Sequence, residues 1–135
     1  MQLTENFKLK EFLYSDFYDD ESQQRVVEMY NQSLDVQHNI QKLANQLQIL
    51  REHLDRPVRI NIAYRPLFWE LLKGRDGSSQ HVLGKAADIV VKGMTPEEVY
   101  DAIENLIHCS DMLQGGLSHY RSFTHYDIRK TKARW

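Results

Sequence analysis

The chain has 135 residues, a formal net charge of −2 and a hydrophobic fraction of 41%, which predicts a single domain over residues 1–135 with its own apolar core. Acids and bases are interleaved, which excludes the basic face of a sequence-independent nucleic-acid binder, and the lone Cys109 excludes an internal disulfide or a cysteine-rich metal site. No stretch approaches the roughly 20 apolar residues of a membrane span, and Met1–Leu9 lacks the apolar centre of a signal peptide, so synthesis in the cytoplasm without such a signal is expected.

Residues 6–13 read as a short helix, with Phe7, Leu9, Phe12 and Leu13 available for the core, and the acidic stretch 16–21 reads as a loop. From Leu34 onward Val36, Ile40, Leu43, Leu47, Leu50 and Leu54 recur at alternating intervals of three and four. That period predicts one amphipathic helix ending before Arg56-Pro57, its stripe turned to the core and His38 and His53 turned to solvent. Residues 58–64 alternate at first and predict a strand, and residues 67–72 a short helix. Residues 74–79 read as a loop from their glycines and serines.

The apolar run 86–91 predicts a central strand. Thr95-Pro96-Glu97-Glu98 is a helix start, with Thr95 as cap, Pro96 at the first position and Glu98 closing a capping box; the helix should run to about His108. Cys109, at its end, is expected to be a small buried hydrophobe. Gly115-Gly116 marks a turn or bulge, residues 123–128 predict the final strand, and the basic tail Arg129–Trp135 should be solvated. Strands and helices alternating irregularly predict an α+β fold: a small antiparallel sheet covered on one face by helices.

Two imidazole–carboxylate pairs stand out in this chain. His81 and Asp88 lie seven apart, so a straight strand would point them to opposite faces. They converge only if the chain turns between them, and Gly84 permits that turn. His125 and Asp127, two apart, share one face of their strand, and a neighbouring strand carrying Asp88 would bring these groups together. The small Ala86 and Ala87 leave room beside them. Two histidines and a carboxylate are what a hydrolytic zinc ion needs when one position stays open for water.

The run Ser79-Gln80-His81-x-x-Gly84-Lys85-Ala86-Ala87-Asp88 resembles the Ser-x-His-x-x-Gly-x-Ala-x-Asp motif of the zinc D-Ala-D-Ala carboxypeptidase family, which includes phage endolysins and is related in fold to hedgehog domains. The likeness continues, in order, through Asn6-Phe7-x-Leu9-x-Glu11-Phe12, Arg59–Pro66, Gly115-Gly116-Leu117-x-x-Tyr120, Phe123–Arg129 and Ala133-Arg134-Trp135.

The resemblance implies that His81, Asp88 and His125 bind Zn2+ and that Arg65 faces the site. Arg65 would stabilise an oxyanion or bind a substrate carboxylate, or else serve as a structural ion pair, for example with Asp127. Ser79 and Gln80 would shape the loop or bind substrate.

Two departures stand out. Ala63 replaces the family's common glycine before Tyr64-Arg65, and Ser122 stands where several members carry an acidic base three residues before the last histidine. Asp127 then becomes the first candidate for the base, with His119 second. Alternatively, Asp127 orients His125 or Arg65. The implied activity is hydrolysis of peptide bonds in peptidoglycan stem peptides at the cell wall, by a D,D-carboxypeptidase or an endopeptidase. A non-catalytic zinc-binding or phage structural module on the same fold is the rival expectation.

Overall fold

The computed structural model describes all 135 residues. Its helices are α1 (Leu9–Leu13), α2 (Asp20–Asn31), α3 (Leu34–Leu54), α4 (Leu67–Leu72) and α5 (Pro96–His108). Its strands are β1 (Val58–Ile62), β2 (Ala86–Val91), β3 (Gly116–His119), β4 (Thr124–Asp127) and β5 (Ala133–Arg134), and a 3-10 turn spans Gln80–Leu83. The strands form one sheet in the order β1-β2-β4-β3-β5. The four longer strands pair antiparallel, while β5 joins β3 in parallel. The fold is α+β, with β5 the single parallel addition. No helix is long and apolar enough to cross a membrane.

The sheet is two-faced because successive side chains point to opposite sides. Ala87, Ile89 and Val91 of β2, Leu117 of β3 and Tyr126 of β4 enter a core of 26 buried residues, together with Ile40, Leu43 and Leu47 of α3 and Val99, Ile103 and Leu106 of α5. The alternate positions, Asp88, His125, Asp127, Gly116 and Ser118, share the other face. One face supplies the stability and the other carries the polar chemistry.

Helix α3 follows its predicted stripe. Val36, Ile40, Leu43, Leu47 and Leu50 are buried, and Leu54 is half-buried. The Ser33 hydroxyl accepts the Val36 N–H at 3.2 Å, and Asp55, at φ 51°, ends the helix ahead of Pro57. Gln48, off the stripe, is buried because it ties the N-terminal segment down: its Oε1 accepts from Thr4 Oγ1 and the Asn6 N–H, both at 2.8 Å. The capping box of α5 forms as expected, with the Glu98 N–H donating to Thr95 Oγ1 at 3.1 Å and the Thr95 N–H to Glu98 Oε1 at 2.9 Å.

Three expectations need correction. The stretch 16–21 is not all loop, since Asp19 caps α2 by accepting the Ser22 N–H at 2.7 Å. Cys109 ends α5 but is exposed. The chain turns away there through Ser110, at φ 63°, and Met112 covers the end of the apolar stripe instead. The tail is only partly free in solvent: Lys130, Thr131 and Lys132 are exposed, but its ends are tied down. Arg134 forks onto Glu104 at 2.8 and 3.0 Å and donates to the Gly115 carbonyl, which fixes β5 against β3.

Candidate metal centre

His81 and Asp88 converge as their spacing requires. Ser79 opens the 3-10 turn by accepting the His81 N–H at 3.2 Å, and Gly84 closes it at φ +74°. A side chain at Gly84 would press on Val36 and Ile40 at 3.2 Å, so glycine is needed for space as well as for its backbone conformation. The chain then enters β2, where Asp88 pairs directly with His125 of β4. Directly opposed residues on adjacent strands share a face. His81, Asp88 and His125 each offer a ligand atom, and the three atoms lie within 4.8 Å of one another.

The hydrogen bonds on the far sides of the rings decide what the near sides present. His81 Nδ1 donates to the Ala63 carbonyl at 2.7 Å, which leaves Nε2 facing Asp88 Oδ1, 3.2 Å away. His125 Nε2 donates to Asp127 Oδ2 at 2.7 Å, which leaves Nδ1 facing the same Asp88 oxygen at 3.0 Å. With both rings neutral, two lone pairs aimed at one carboxylate oxygen repel, whereas an imidazolium at His125 donates to it. A divalent cation among them turns that repulsion into coordination, and the residues present fit such an ion.

Asp127 is fully buried and its acceptors are heavily engaged. Oδ1 accepts the Gly116 N–H at 2.9 Å, the Arg129 N–H at 3.1 Å and Arg129 Nε at 2.8 Å; Oδ2 accepts Arg129 Nη2 at 2.8 Å besides His125. Gly116 lies directly opposite Asp127 in the sheet, and a Cβ there would fall 2.6 Å from the Asp127 Cγ. Gly116→Ala should therefore displace the carboxylate that steadies His125. It should weaken divalent-ion binding about tenfold or more although Gly116 touches no ligand atom; unchanged affinity by titration calorimetry would contradict the packing.

The same carboxylates set the charges. Burial opposes an imidazolium at His125, but hydrogen bonds to Asp127 and Asp88 outweigh it and raise the pKa above 6.5. Burial likewise opposes ionisation of Asp88 and Asp127, yet hydrogen bonds to the histidines, and to Arg129 for Asp127, hold both below the usual carboxylate range. In the metal-free chain the His125 contribution to stability is complete below about 6.5 and is lost as pH climbs through the raised value. The aspartates contribute above about 3.8 and lose that stabilisation as pH falls through their depressed values. The Tm of chelator-treated protein should accordingly decline as pH is raised beyond 6.5, and a rising Tm over that range would contradict the His125 pairing.

Arg65 is paired with Glu70 of α4, not with Asp127. Its Nε faces Glu70 Oε1 at 3.2 Å in an ion pair too bent for a hydrogen bond, and Nη2 donates to Ser79 Oγ at 3.3 Å. Glu70 is fully buried and also pairs with Arg75. Ser79 thus both caps the turn and receives Arg65, while Gln80 lines the groove beside His81 and His125.

His119 lies on the opposite face of β3 from Gly116 and Ser118, its ring against Tyr100 of α5 at 5.1 Å, which removes it as a candidate base. Ser122 sits on the rim of a second groove.

Three contributors are not evident from the sequence. Glu70 is a single acid in an apolar hexapeptide. Gly116 looks like a turn residue. Trp135, in a tail expected to be solvated, sets its ring 5.0 Å from His125 and donates from Nε1 to Tyr120 at 2.7 Å.

Two grooves meet at the cluster and share Arg65, Asp88 and Phe123. One, of about 350 Å³, is lined by Ser79, Gln80, His81, His125 and Trp135. The other, of about 390 Å³, runs along α4. The arrangement is a buried three-ligand cluster with access from both sides and a guanidinium at the junction. None of the curated proteins compared with the chain matches it. The family model for peptidase M15 matches residues 10–127, which takes in α4, the 3-10 turn and all three ligand positions. The chain therefore belongs to the peptidase M15 family.

Proposed function

We propose that the protein is a zinc metallopeptidase that hydrolyses peptide bonds in peptidoglycan stem peptides, as a D,D-carboxypeptidase or an endopeptidase. The observation that carries this reading is the pair of imidazole nitrogens turned on one Asp88 oxygen at 3.2 and 3.0 Å, each ring fixed by its outer N–H. When bound, the ion supplies Lewis-acid activation of water and of the scissile carbonyl. The rest is done by side chains. The Ala63 carbonyl and Asp127 hold the two imidazoles in the tautomers that bind metal. Asp127, with its acceptors saturated, acts as the orienting carboxylate of the two roles open to it, rather than as the base.

Arg65 keeps guanidinium donors for the groove because its one side-chain hydrogen bond runs from Nη2 to Ser79, while the buried Nε faces Glu70. A fixed donor at the junction is suited to a developing oxyanion. Arg65→Lys removes the planar fork and should lower kcat about 10²- to 10³-fold with bound zinc unchanged; full activity in that variant would remove Arg65 from the chemistry.

One observation favours a second reading, a metal-binding module without catalysis. Ser122 supplies no carboxylate at the position of the missing acid, and Asp127 is already saturated. Mass analysis of purified peptidoglycan after incubation with zinc-loaded protein separates the two. Released D-Ala or new stem-peptide ends require the peptidase, and an unchanged fragment pattern would leave the module. The cell wall as the place of action follows from the substrate and belongs to the same proposal.

A further inference from the structure

The second groove has a chemistry of its own. From Asp88 it runs along α4 between Phe17, Trp69 and Phe123, and three cations line it: Arg65, Lys73 and Arg75. Its only lining acid is Asp88, which belongs to the metal cluster. Glu70 lies beneath, fully buried, and its one charge is shared between Arg65 and Arg75. Lys73 forms no salt bridge, although Asp19 lies near enough to feel its charge, and its ammonium rides over the Trp69 ring, 4.5 Å from the centroid. The groove on the other side of the cluster differs. Serines, Gln80 and the Tyr120–Trp135 pair line it, and its one cation besides the shared Arg65 is Arg129, already committed to Asp127.

An apolar-walled groove lined by surplus positive charge, opening beside the metal cluster, selects an anion on a short carbon skeleton. At about 390 Å³ it has the volume of a small-molecule site. Guanidinium and ammonium donors on separate stems surround a carboxylate with charge-assisted hydrogen bonds. We propose that this groove is a carboxylate subsite, in which Lys73 and Arg75 bind a free carboxylate of the peptide substrate while Arg65 stays at the scissile carbonyl. The inference rests on the peptidase reading and narrows it, because an enzyme with such a subsite beside the metal prefers a peptide acid to its amide. Two carboxylates in a stem peptide meet the description: the C-terminal one, and the α-carboxylate of a γ-linked glutamate.

The test is an NMR titration of the full chain, stripped of metal by chelator so that no peptide is turned over. Three probes are used: a stem pentapeptide, its C-terminal amide, and the same peptide amidated at the glutamate α-carboxylate. One amidation should weaken binding about tenfold and should abolish the shift of the Trp69 indole. Which amidation does so names the carboxylate. Lys73 is exposed, so Lys73→Gln keeps the fold, and in that variant acid and amide should bind alike. Indifference to both amidations, no saturable shift at all, or an acid preference that survives in Lys73→Gln would each overturn the subsite. Arg75→Gln serves as a second variant, with its Tm followed because Arg75 also braces Glu70. The peptidase reading fails separately: an acid preference that depends on Lys73, without cleavage by the zinc-loaded protein, would sink hydrolysis and leave the subsite standing.

Discussion

Asp88→Asn should remove the divalent ion from the protein and reduce hydrolysis by about a thousandfold or more, because the metal lowers the pKa of water by roughly nine units. The substitution keeps the side-chain volume and changes one charge. In the wild-type chain a single carboxylate oxygen faces Nε2 of His81 and Nδ1 of His125, with both outer N–H groups held elsewhere. An asparagine amide in that position donates to the two lone pairs, which stabilises the metal-free arrangement and opposes the ion. The variant should fold normally for that reason, and loss of function comes from the metal alone. Zinc analysis after gel filtration, beside a fragment assay, reads both effects; stoichiometric zinc with unimpaired hydrolysis would refute the ligand assignment.

Asp127 should yield the second largest effect, and its two variants separate structure from orientation. Asp127→Ala leaves the Arg129 guanidinium, two backbone N–H groups and the His125 ring without their acceptor, a loss of about 3–5 kcal/mol in stability for a broken buried ion pair. Asp127→Asn keeps the shape but offers one acceptor fewer to a site that presents only donors. His125 then loses the partner that fixes its tautomer, and zinc affinity should fall about 10- to 100-fold. Excess zinc should restore turnover in Asp127→Asn if the carboxylate orients the ligand. A variant that binds zinc with wild-type affinity and still fails to turn over would make Asp127 the base.

Much of this site is legible in the amino-acid sequence, because it depends on backbone periods. The odd interval from His81 to Asp88 demands a turn, and Gly84 at φ +74° supplies it. The even interval from His125 to Asp127 demands one shared face, and β4 provides it. The stripe of α3 and the capping box of α5 are local patterns that tertiary packing had no reason to override.

What stays hidden depends on pairings between distant parts of the chain. Helix α2 buries only Ser22, Val26 and Tyr30, one residue per turn, so its hydrophobic period is thin. Glu70 looks like a polar break in an apolar helix until Arg65 and Arg75 close on it. The tail looks solvated by its charge, yet Arg134 finds Glu104 thirty residues away and Trp135 lands on His125. Arg65 and Asp127 both belong to the site, but each has a nearer partner of opposite charge, Glu70 and Arg129. Charge alone does not tell which of several acids an arginine will meet.

X-ray absorption at the zinc edge, on protein loaded with one equivalent of zinc, tests the metal centre most directly. One tightly held ion per chain is expected, with two imidazole nitrogens and a carboxylate oxygen around it, and the imidazole signal should halve in His81→Ala and in His125→Ala alike. Zinc that does not stay bound, or a spectrum unchanged by either substitution, would contradict it.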